Sequence, residues 1–164
     1  MPRRTDSATA TDAARWLSSE EEAAWRVIAQ LMVRLPWALE CQLQRDADLS
    51  FIEYHALARL SEDPKHTLRM SELAMLTNAS LSRLSHMVKR LESRKLVRRE
   101  VDPSDGRFTN AILTKAGYKL LVASAPGHVA QVRSHVVDVL SAAELEQLRS
   151  AAEHVLASIE APSN

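Results

Sequence analysis

The sequence is poor in the residues that build disulfide frameworks, tight turns and membrane spans. It contains one cysteine, three glycines and six prolines among 164 residues, and aromatic side chains make up 4%. The single cysteine, Cys41, cannot form an internal disulfide, which is typical of a reducing compartment. So few glycines and prolines exclude collagen-like and low-complexity chains and favour helices over hairpins. Long uncharged apolar runs and the apolar core of a secretory signal are also absent, so we expect a soluble, cytoplasmic protein.

Positive charge is concentrated in the middle of the chain. In total, 21 basic side chains balance 21 acidic ones. Residues 65–99, however, carry nine basic and two acidic side chains, a net charge of +7, while residues 1–64 carry −4 and residues 100–164 carry −3. A basic segment in a neutral protein indicates a polyanionic partner such as nucleic acid. A solvated helical face has the same composition, so charge alone leaves both interpretations open.

The first part of the chain predicts a flexible arm followed by a long helix. Residues 1–16 are small, polar and charged, which favours a flexible N-terminal arm. Ser18 and Glu21 then form a capping-box pattern that starts a helix reaching the mid-forties. Its apolar positions recur at three- and four-residue steps, and Pro36 is expected to kink it. These positions are Trp25, Ile28, Met32, Leu35 and Leu39.

Two short helices joined by a tight turn are predicted in the basic segment. The first covers residues 71–76, and the second covers residues 81–94 with Ser80 as its N-cap. The second helix has an apolar stripe that we expect to be buried, formed by Leu81, Leu84, Val88 and Leu91. Its opposite face is polar and carries Ser82, Arg83, His86, Lys89 and Arg90.

A β-hairpin is predicted directly after these helices. Residues 97–101 combine apolar side chains, Val97 and Val101, with charged ones between them, which indicates a half-exposed strand. Residues 102–106 are rich in turn formers, and residues 108–113 are predicted to form the returning strand. The hairpin is therefore expected to be the one β element of a helical protein.

Further helices are predicted on both sides of this central region. Ser50 and Glu53 form a capping-box pattern that opens a short helix, which is expected to end before Pro64. Ser141 and Glu144 form another that opens the last helix of the chain. Thr114 is expected to cap a long helix that runs to about Val139 and is bent or interrupted at Pro126. The last helix is expected to bury Leu145, Leu148, Ala152, Val155 and Ile159.

A helix-turn-helix followed by a basic hairpin is the layout of a winged helix-turn-helix, which can bind duplex DNA. An α-helix fits the major groove, which is roughly 12 Å wide. Arg83, near the start of the second helix, can bind guanine through two hydrogen bonds, while Ser80 and Ser82 can contact phosphates. On the same face, His86, Lys89 and Arg90 are expected to support DNA binding. Arg107, aimed by Asp105, can enter the adjacent minor groove. An ordinary surface salt bridge is the plainer interpretation of that last pair.

Short motifs between residues 70 and 114 match a known family pattern. They are Ser71-Glu72-Leu73-Ala74, Ser80-Leu81-Ser82-Arg83-Leu84-Ser85, Val88-Lys89-Arg90-Leu91-Glu92 and Lys95-Leu96-Val97-Arg98-Arg99. A wing signature, Asp-x-Arg followed by five residues and Leu-Thr, occurs as Asp105-Gly106-Arg107 and Leu113-Thr114. With these motifs and the long flanking helices, residues 18–159 resemble the MarR family of bacterial transcriptional regulators.

The resemblance implies a mainly α fold, with a winged helix-turn-helix, a two-stranded β wing and a helical dimerisation region from both termini. After the arm, it assigns residues 17–48 to a dimerisation helix, 49–114 to the DNA-binding domain and 115–164 to further dimerisation helices. It implies a homodimer that binds double-stranded DNA at a pseudo-palindromic operator and acts as a ligand-responsive repressor. The apolar stripes of the outer helices, too extensive for one chain to bury, support a dimer independently.

Resemblance to the MarR family also implies a small aromatic or anionic effector, bound between the dimerisation helices and the winged domain. Candidate lining residues are Trp16, Trp25, Trp37, Phe51, Tyr54 and Arg59. Ordinary core packing explains each of these residues and is the favoured interpretation. A thiol-based redox sensor using Cys41 is an alternative, although an inert buried thiol is the simpler interpretation.

Sequence patterns for metal binding and catalysis are absent. The six histidines lie at irregular intervals, without a Cys-x-x-Cys or His-Glu-x-x-His motif. A glycine-rich phosphate loop and a Gly-x-Ser-x-Gly elbow are also missing. We therefore expect no metal, no cofactor and no enzymatic activity. A winged-helix protein-interaction module without specific DNA binding remains an alternative to a DNA-binding regulator.

Overall fold

A computed structural model describes residues 15–160, and within this range the chain is mainly helical. Its elements are α1 Ser19–Ala47, α2 Phe51–Glu62, β1 Thr67–Arg69, α3 Met70–Leu76, α4 Leu81–Ser93, β2 Val97–Val101, β3 Thr109–Leu113, α5 Lys115–Val132, a π-helical segment Arg133–Val137 and α6 Ala142–Glu160. Two compact units are present, one ending at Arg34 and one beginning at Leu35. The predicted arm, residues 1–16, lies outside the described residues except for its last two positions.

Local side-chain signals set the starts of the helices as the sequence predicts. All three capping boxes are formed, by Ser18 with Glu21, Ser50 with Glu53, and Ser141 with Glu144. Ser80 accepts a hydrogen bond from the backbone N–H of Arg83 at 3.3 Å, and Thr114 accepts one from that of Gly117 at 3.0 Å. These caps satisfy backbone donors that the first turn of a helix leaves free.

The sheet has three antiparallel strands in the order β1-β3-β2. The predicted hairpin is formed by β2 and β3, with Val97 opposite Leu113 and Val101 opposite Thr109. The additional strand β1 pairs with β3 on the other side and places Arg69 opposite Asn110. At three residues, β1 is too short to have a recognisable alternation of apolar and polar side chains, which is why the sequence predicts only two strands.

The hydrophobic core holds the winged part of the chain together. Its fully buried side chains include Leu57, Leu60, Leu73, Leu84, Val88 and Leu91. The last three confirm most of the stripe predicted for α4. Leu81 was expected in the same stripe, but 56% of its surface is exposed. It is the first residue of α4 and lies at the edge of an open groove rather than over the core.

Helix α5 is continuous through Pro126, where the sequence predicts either a bend or an interruption. The irregular geometry comes later, in the π-helical segment at residues 133–137. The neighbouring Gly127 serves close packing instead, because a Cβ atom there would lie 2.8 Å from Nε2 of Gln42 on α1. The Pro-Gly pair therefore marks the point where α5 approaches α1, not a helix end.

The apolar stripe of α6 is not buried in the single chain, contrary to the sequence-based expectation. None of the residues of α6 is buried, and Leu148, Val155 and Ile159 are 41%, 59% and 72% exposed. In the separate unit that ends at Arg34, the apolar side chains Trp25, Ile28 and Met32 are also about half exposed. The amphipathic pattern of these helices was identified correctly, but their apolar side chains stay exposed in the described part of the single chain.

No helix among residues 15–160 is long and apolar enough to cross a membrane. The same residues contain no group of three or more histidine, cysteine, aspartate or glutamate side chains arranged to hold a metal ion.

Candidate nucleic-acid interface

The turn between α3 and α4 determines how α4 is presented. Thr77 donates from its hydroxyl to the carbonyl of Leu73 at 2.7 Å, and the backbone N–H of Ala79 donates to the carbonyl of Ala74 at 2.9 Å. Asn78 has a φ of 49°, a left-handed conformation that asparagine tolerates and that reverses the chain tightly. Together with the buried leucine and valine stripe, this turn fixes which face of α4 is exposed.

The polar face of α4 is open to solvent. Ser82, Arg83, His86 and Lys89 are all exposed. In the part of the chain that the structure describes, the side chains of Arg83, His86 and Lys89 have no hydrogen bond or ion pair. Their donors are therefore available to an external ligand, as recognition of base edges and phosphates requires.

Arg90 differs from its neighbours because it binds a buried carboxylate. Its Nε donates to Oε1 of Glu53 at 2.5 Å, and its Nη2 contacts the second carboxylate oxygen. Burial would raise the pKa of Glu53, but hydrogen bonds from Arg90 and Ser50 outweigh this effect and hold it below its ordinary value. Arg90 thus links α4 to α2, a contact between residues 37 positions apart that no sequence pattern signals.

Other basic side chains of the central segment are also paired within the chain. Among residues 65–99 of the described structure, five arginines lie within ion-pair distance of a carboxylate: Arg69 with Asp102, Arg90 with Glu53, Arg94 with Asp48, Arg98 with Glu100, and Arg99 with Glu92. Arg94 also donates to the carbonyls of Ala47 and Asp48, at the end of α1. Part of the positive charge therefore stabilises the fold. Four basic side chains of this segment have no ion pair in the described structure, and two of them, Arg83 and Lys89, lie on the exposed face of α4.

The wing presents Arg107 as the sequence predicts. Its Nε and Nη2 donate to Asp105 at 2.9 and 2.6 Å, and its backbone N–H donates to the same carboxylate at 3.1 Å. These hydrogen bonds lower the pKa of Asp105. The Arg107 side chain remains 84% exposed. The pair thus holds the guanidinium group of Arg107 on one side and leaves most of the side chain accessible to a ligand.

The base of the wing contains residues that sequence reasoning missed. Asp102 is buried and accepts hydrogen bonds from Ser104 and from Arg69 on β1. These bonds, those from Ser104 first, hold the pKa of Asp102 well below its ordinary value. The spacing of Asp102 and Ser104 is a readable turn signal, whereas the contact with Arg69 spans 33 positions.

A groove of about 390 Å³ runs between α4 and the wing. It is lined by Met70, Ser71, Leu81, Ser85, Arg99, Arg107, Phe108 and Thr109. Its hydroxyl and guanidinium groups are suited to phosphate oxygens.

The candidate effector residues do not line one common groove within residues 35–160. Trp37 lines a groove together with Cys41, Glu40, Gln44 and Arg45, whereas Phe51 lines another with Ile52, His55, Leu76 and Thr77. Tyr54 is buried, and Arg59 pairs with Glu62 on its own helix. Trp16 and Trp25 belong to the unit that ends at Arg34, where both are exposed.

His128 joins two of these candidates and was not singled out as an effector residue from the sequence. Its ring centroid lies 4.5 Å from that of Tyr54 and 6.3 Å from that of Phe51. Within residues 15–160, its Nδ1 atom is buried without a hydrogen-bond partner, as is Oε1 of Gln42 on α1. Burial, and to a lesser extent His55, lowers the pKa of His128. Cys41 is half-buried.

Comparisons with known proteins agree on one family. A family model described as MarR family matches residues 47–107. The chain is similar to Sco3205, a MarR family transcriptional regulator from Streptomyces coelicolor solved in complex with DNA, with 42% identity, a TM-score of 0.89, and coverage of 92% of this chain and 94% of that chain. It is also similar to AbsC, a MarR family transcriptional regulator from the same organism, with 39% identity, a TM-score of 0.84, and coverage of 88% and 97%.

A curated relative supports the same assignment over a shorter stretch. The transcriptional regulator HosA from Escherichia coli O111:H- is 36% identical over 80 residues, which cover 48% of this chain and 57% of that protein.

Proposed function

Since the chain belongs to the MarR family of transcriptional regulators, which are not enzymes, we propose that it is a ligand-responsive repressor that binds a pseudo-palindromic operator as a homodimer. The single observation that carries this proposal is the exposed polar face of α4, where the side chains of Arg83, His86 and Lys89 have no partner in the described part of the chain, together with an exposed wing arginine. A helix that reads duplex DNA requires free donors of this kind on its exposed face.

We assign base recognition to α4 and groove contact to the wing. Arg83, one turn into α4, can donate two hydrogen bonds to O6 and N7 of guanine in the major groove. His86 can contact a neighbouring base edge, while Ser80, Ser82 and Lys89 can contact phosphates. Arg107 can enter the adjacent minor groove. Arg90 was predicted to contact DNA as well, and its bond to Glu53 supports a role in orienting α4.

A homodimer is supported by the exposed apolar stripes of α6 and of the first half of α1. Uncovered apolar surface of this extent is unfavourable in water and is removed by a second copy of the chain. A two-fold dimer would place two α4 helices one helical turn apart, about 10 base pairs, on the same side of the duplex. We therefore expect an inverted repeat with that half-site spacing.

Effector binding is proposed near His128, Phe51 and Tyr54. These rings lie where α2 meets α5, and the unpaired Nδ1 of His128 and Oε1 of Gln42 offer polar contacts to a small aromatic or anionic molecule. A ligand that favours one spacing of the two α4 helices would shift the population away from the DNA-bound form. Thermal shifts against phenols, aromatic acids and urate test this step.

The experiment that tests the proposed function is selection of bound duplexes from a random library, followed by footprinting of the selected site and of the protein's own promoter region. A repressor of the proposed kind should select an inverted repeat and protect it. Selection without enrichment, combined with weak and uniform duplex binding, would instead support a protein-interaction module.

A further inference from the structure

A network of side chains connects the base of the wing to strand β1. Arg69, the last residue of β1, donates from Nε to the buried carboxylate of Asp102 at 3.0 Å. Asp102 also accepts from the backbone N–H of Ser104 at 2.8 Å and from its hydroxyl at 2.6 Å. One carboxylate therefore fixes the start of the wing turn and holds Arg69 against it.

Phe108 links this anchor to the exposed end of the wing. The guanidinium carbon of Arg69 lies 4.5 Å from the centroid of the Phe108 ring, and that of Arg107 lies 5.9 Å from it. Both distances are within the range of cation–π attraction. Arg107 is thus restrained by two contacts, its ion pair with Asp105 and its approach to a ring that Arg69 also contacts.

We propose that Arg69 is a positioning residue for DNA binding: held by Asp102 and stacked against Phe108, it sets the direction in which Arg107 enters the minor groove. This inference rests on the proposed DNA-binding function. A side chain that is restrained before binding loses less conformational freedom on binding, which raises affinity without a new contact. Arg69 thereby acts through Arg107 and not as a separate contact with DNA.

A double-mutant cycle on the selected operator tests this dependence. We expect Arg69→Ala to weaken binding by roughly five- to tenfold in the otherwise unchanged protein, and by less than about twofold when Arg107 is already alanine. Arg69→Lys should resemble Arg69→Ala, because lysine keeps the charge but lacks the planar group that stacks on Phe108 and donates to Asp102. If Arg69→Ala folds poorly, the nearly isosteric Asp102→Asn variant replaces it in the test and should show the same loss of operator binding.

Footprints of the same variants separate positioning from a general structural defect. Hydroxyl-radical protection should fade where the wing lies in the minor groove, while guanine protection in the major groove by α4 should persist. Arg133→Ala is the matched control, since this arginine forms an exposed ion pair with Asp138 outside the winged part of the chain. It should leave both patterns unchanged.

Two results would overturn the inference. Equal losses from Arg69→Ala with and without Arg107, together with full binding by Arg69→Lys, would identify Arg69 as an independent phosphate contact. A uniform loss of protection in both grooves with a lower melting temperature would identify a structural defect only. Failure of the unchanged protein to bind any duplex specifically would refute the proposed function instead, and so the two failures are distinguishable.

Discussion

Arg90 of α4 and Glu53 of α2 form an ion pair in which the carboxylate is almost completely buried. Glu53 is 1% exposed, and Nε of Arg90 lies 2.5 Å from its Oε1. Glu53 also completes the capping box of α2 by accepting from the backbone N–H of Ser50 at 2.8 Å. One side chain therefore fixes the start of α2 and the orientation of the helix that carries the proposed DNA-reading residues.

Arg90→Ala is expected to lower the free energy of unfolding by about 1–3 kcal/mol at pH 7, because the buried carboxylate of Glu53 loses its main partner. A larger loss is not expected, because the Arg90 side chain is partly exposed to water. The pKa of Glu53 lies below its ordinary value of 4.5, so its contribution is present above that pH and lost as the pH falls through the lower folded value. The difference in the free energy of unfolding between the unchanged protein and Arg90→Ala should therefore shrink in acid. Urea unfolding at neutral and acidic pH measures it.

Arg59→Ala is the matched control for this prediction, since Arg59 forms an exposed ion pair with Glu62 on the same helix. Its effect should stay within about 0.5 kcal/mol. An equal effect of both substitutions would show that the Arg90 pair is an ordinary surface contact.

Arg83 and Lys89 are expected to contribute to DNA binding in different ways. Arg83→Ala should cost about 1–3 kcal/mol on the operator and relax specificity at one base pair, because it removes contacts to a base edge. Lys89→Ala should weaken binding to all duplexes alike and reduce the salt slope by about one unit, because it removes a phosphate contact. Fluorescence anisotropy over a salt series measures both, and equal losses on operator and random DNA for Arg83→Ala would refute its base-reading role.

His128 should make the fold sensitive to mild acid. Burial lowers its pKa below the ordinary value of 6.5, so the unfolded chain binds its proton first and the free energy of unfolding falls as the pH drops below that value. His128→Phe keeps an aromatic ring against Tyr54 but cannot bind a proton, so its stability should fall less between pH 7.5 and 5.5. Urea midpoints at the two pH values test this, with His154→Phe on exposed α6 as the control. An unchanged pH dependence in His128→Phe would exclude this role.

The stripe of α6 should hold two copies of the chain together. Val155→Glu places a charge on this exposed apolar face, so we expect a monomer in sedimentation and binding to the full operator that is weaker by at least roughly tenfold, since two half-sites are no longer engaged together. Ala157→Glu adds the same charge at an exposed position on the opposite face of α6, two residues along the helix, and should leave the assembly intact. Dimeric Val155→Glu with full operator binding would show that α6 is not part of the interface.

The sequence predicts the local elements of this protein well because their signals are short-range. The capping boxes, the turn before Ser80 and the strand at residues 97–101 each depend on neighbours within a few positions, and each is confirmed. The exposed face of α4 follows from helical periodicity alone. The sequence predicts a bend or an interruption at Pro126, and the structure excludes the interruption because α5 is continuous there.

The features that the sequence does not predict depend on distant parts of the chain. The partners of Arg90 and Arg69 lie 37 and 33 positions away, so an arginine that looks free for DNA in the sequence can be bound to a carboxylate in the fold. Strand β1 exists because β3 has an open edge, not because residues 67–69 have a strand pattern. The exposure of Leu81 likewise follows from where the core ends, which periodicity along one helix does not define.

The decisive measurement is the affinity of the full-length protein for its selected operator, compared with a scrambled duplex of the same length and base composition, at several salt concentrations. If α4 and the wing read duplex DNA, the operator should bind at least about a thousandfold more tightly at physiological salt, and Arg83→Ala should reduce that ratio. Equal affinities for the two duplexes at every salt concentration would contradict sequence-specific DNA binding by this face.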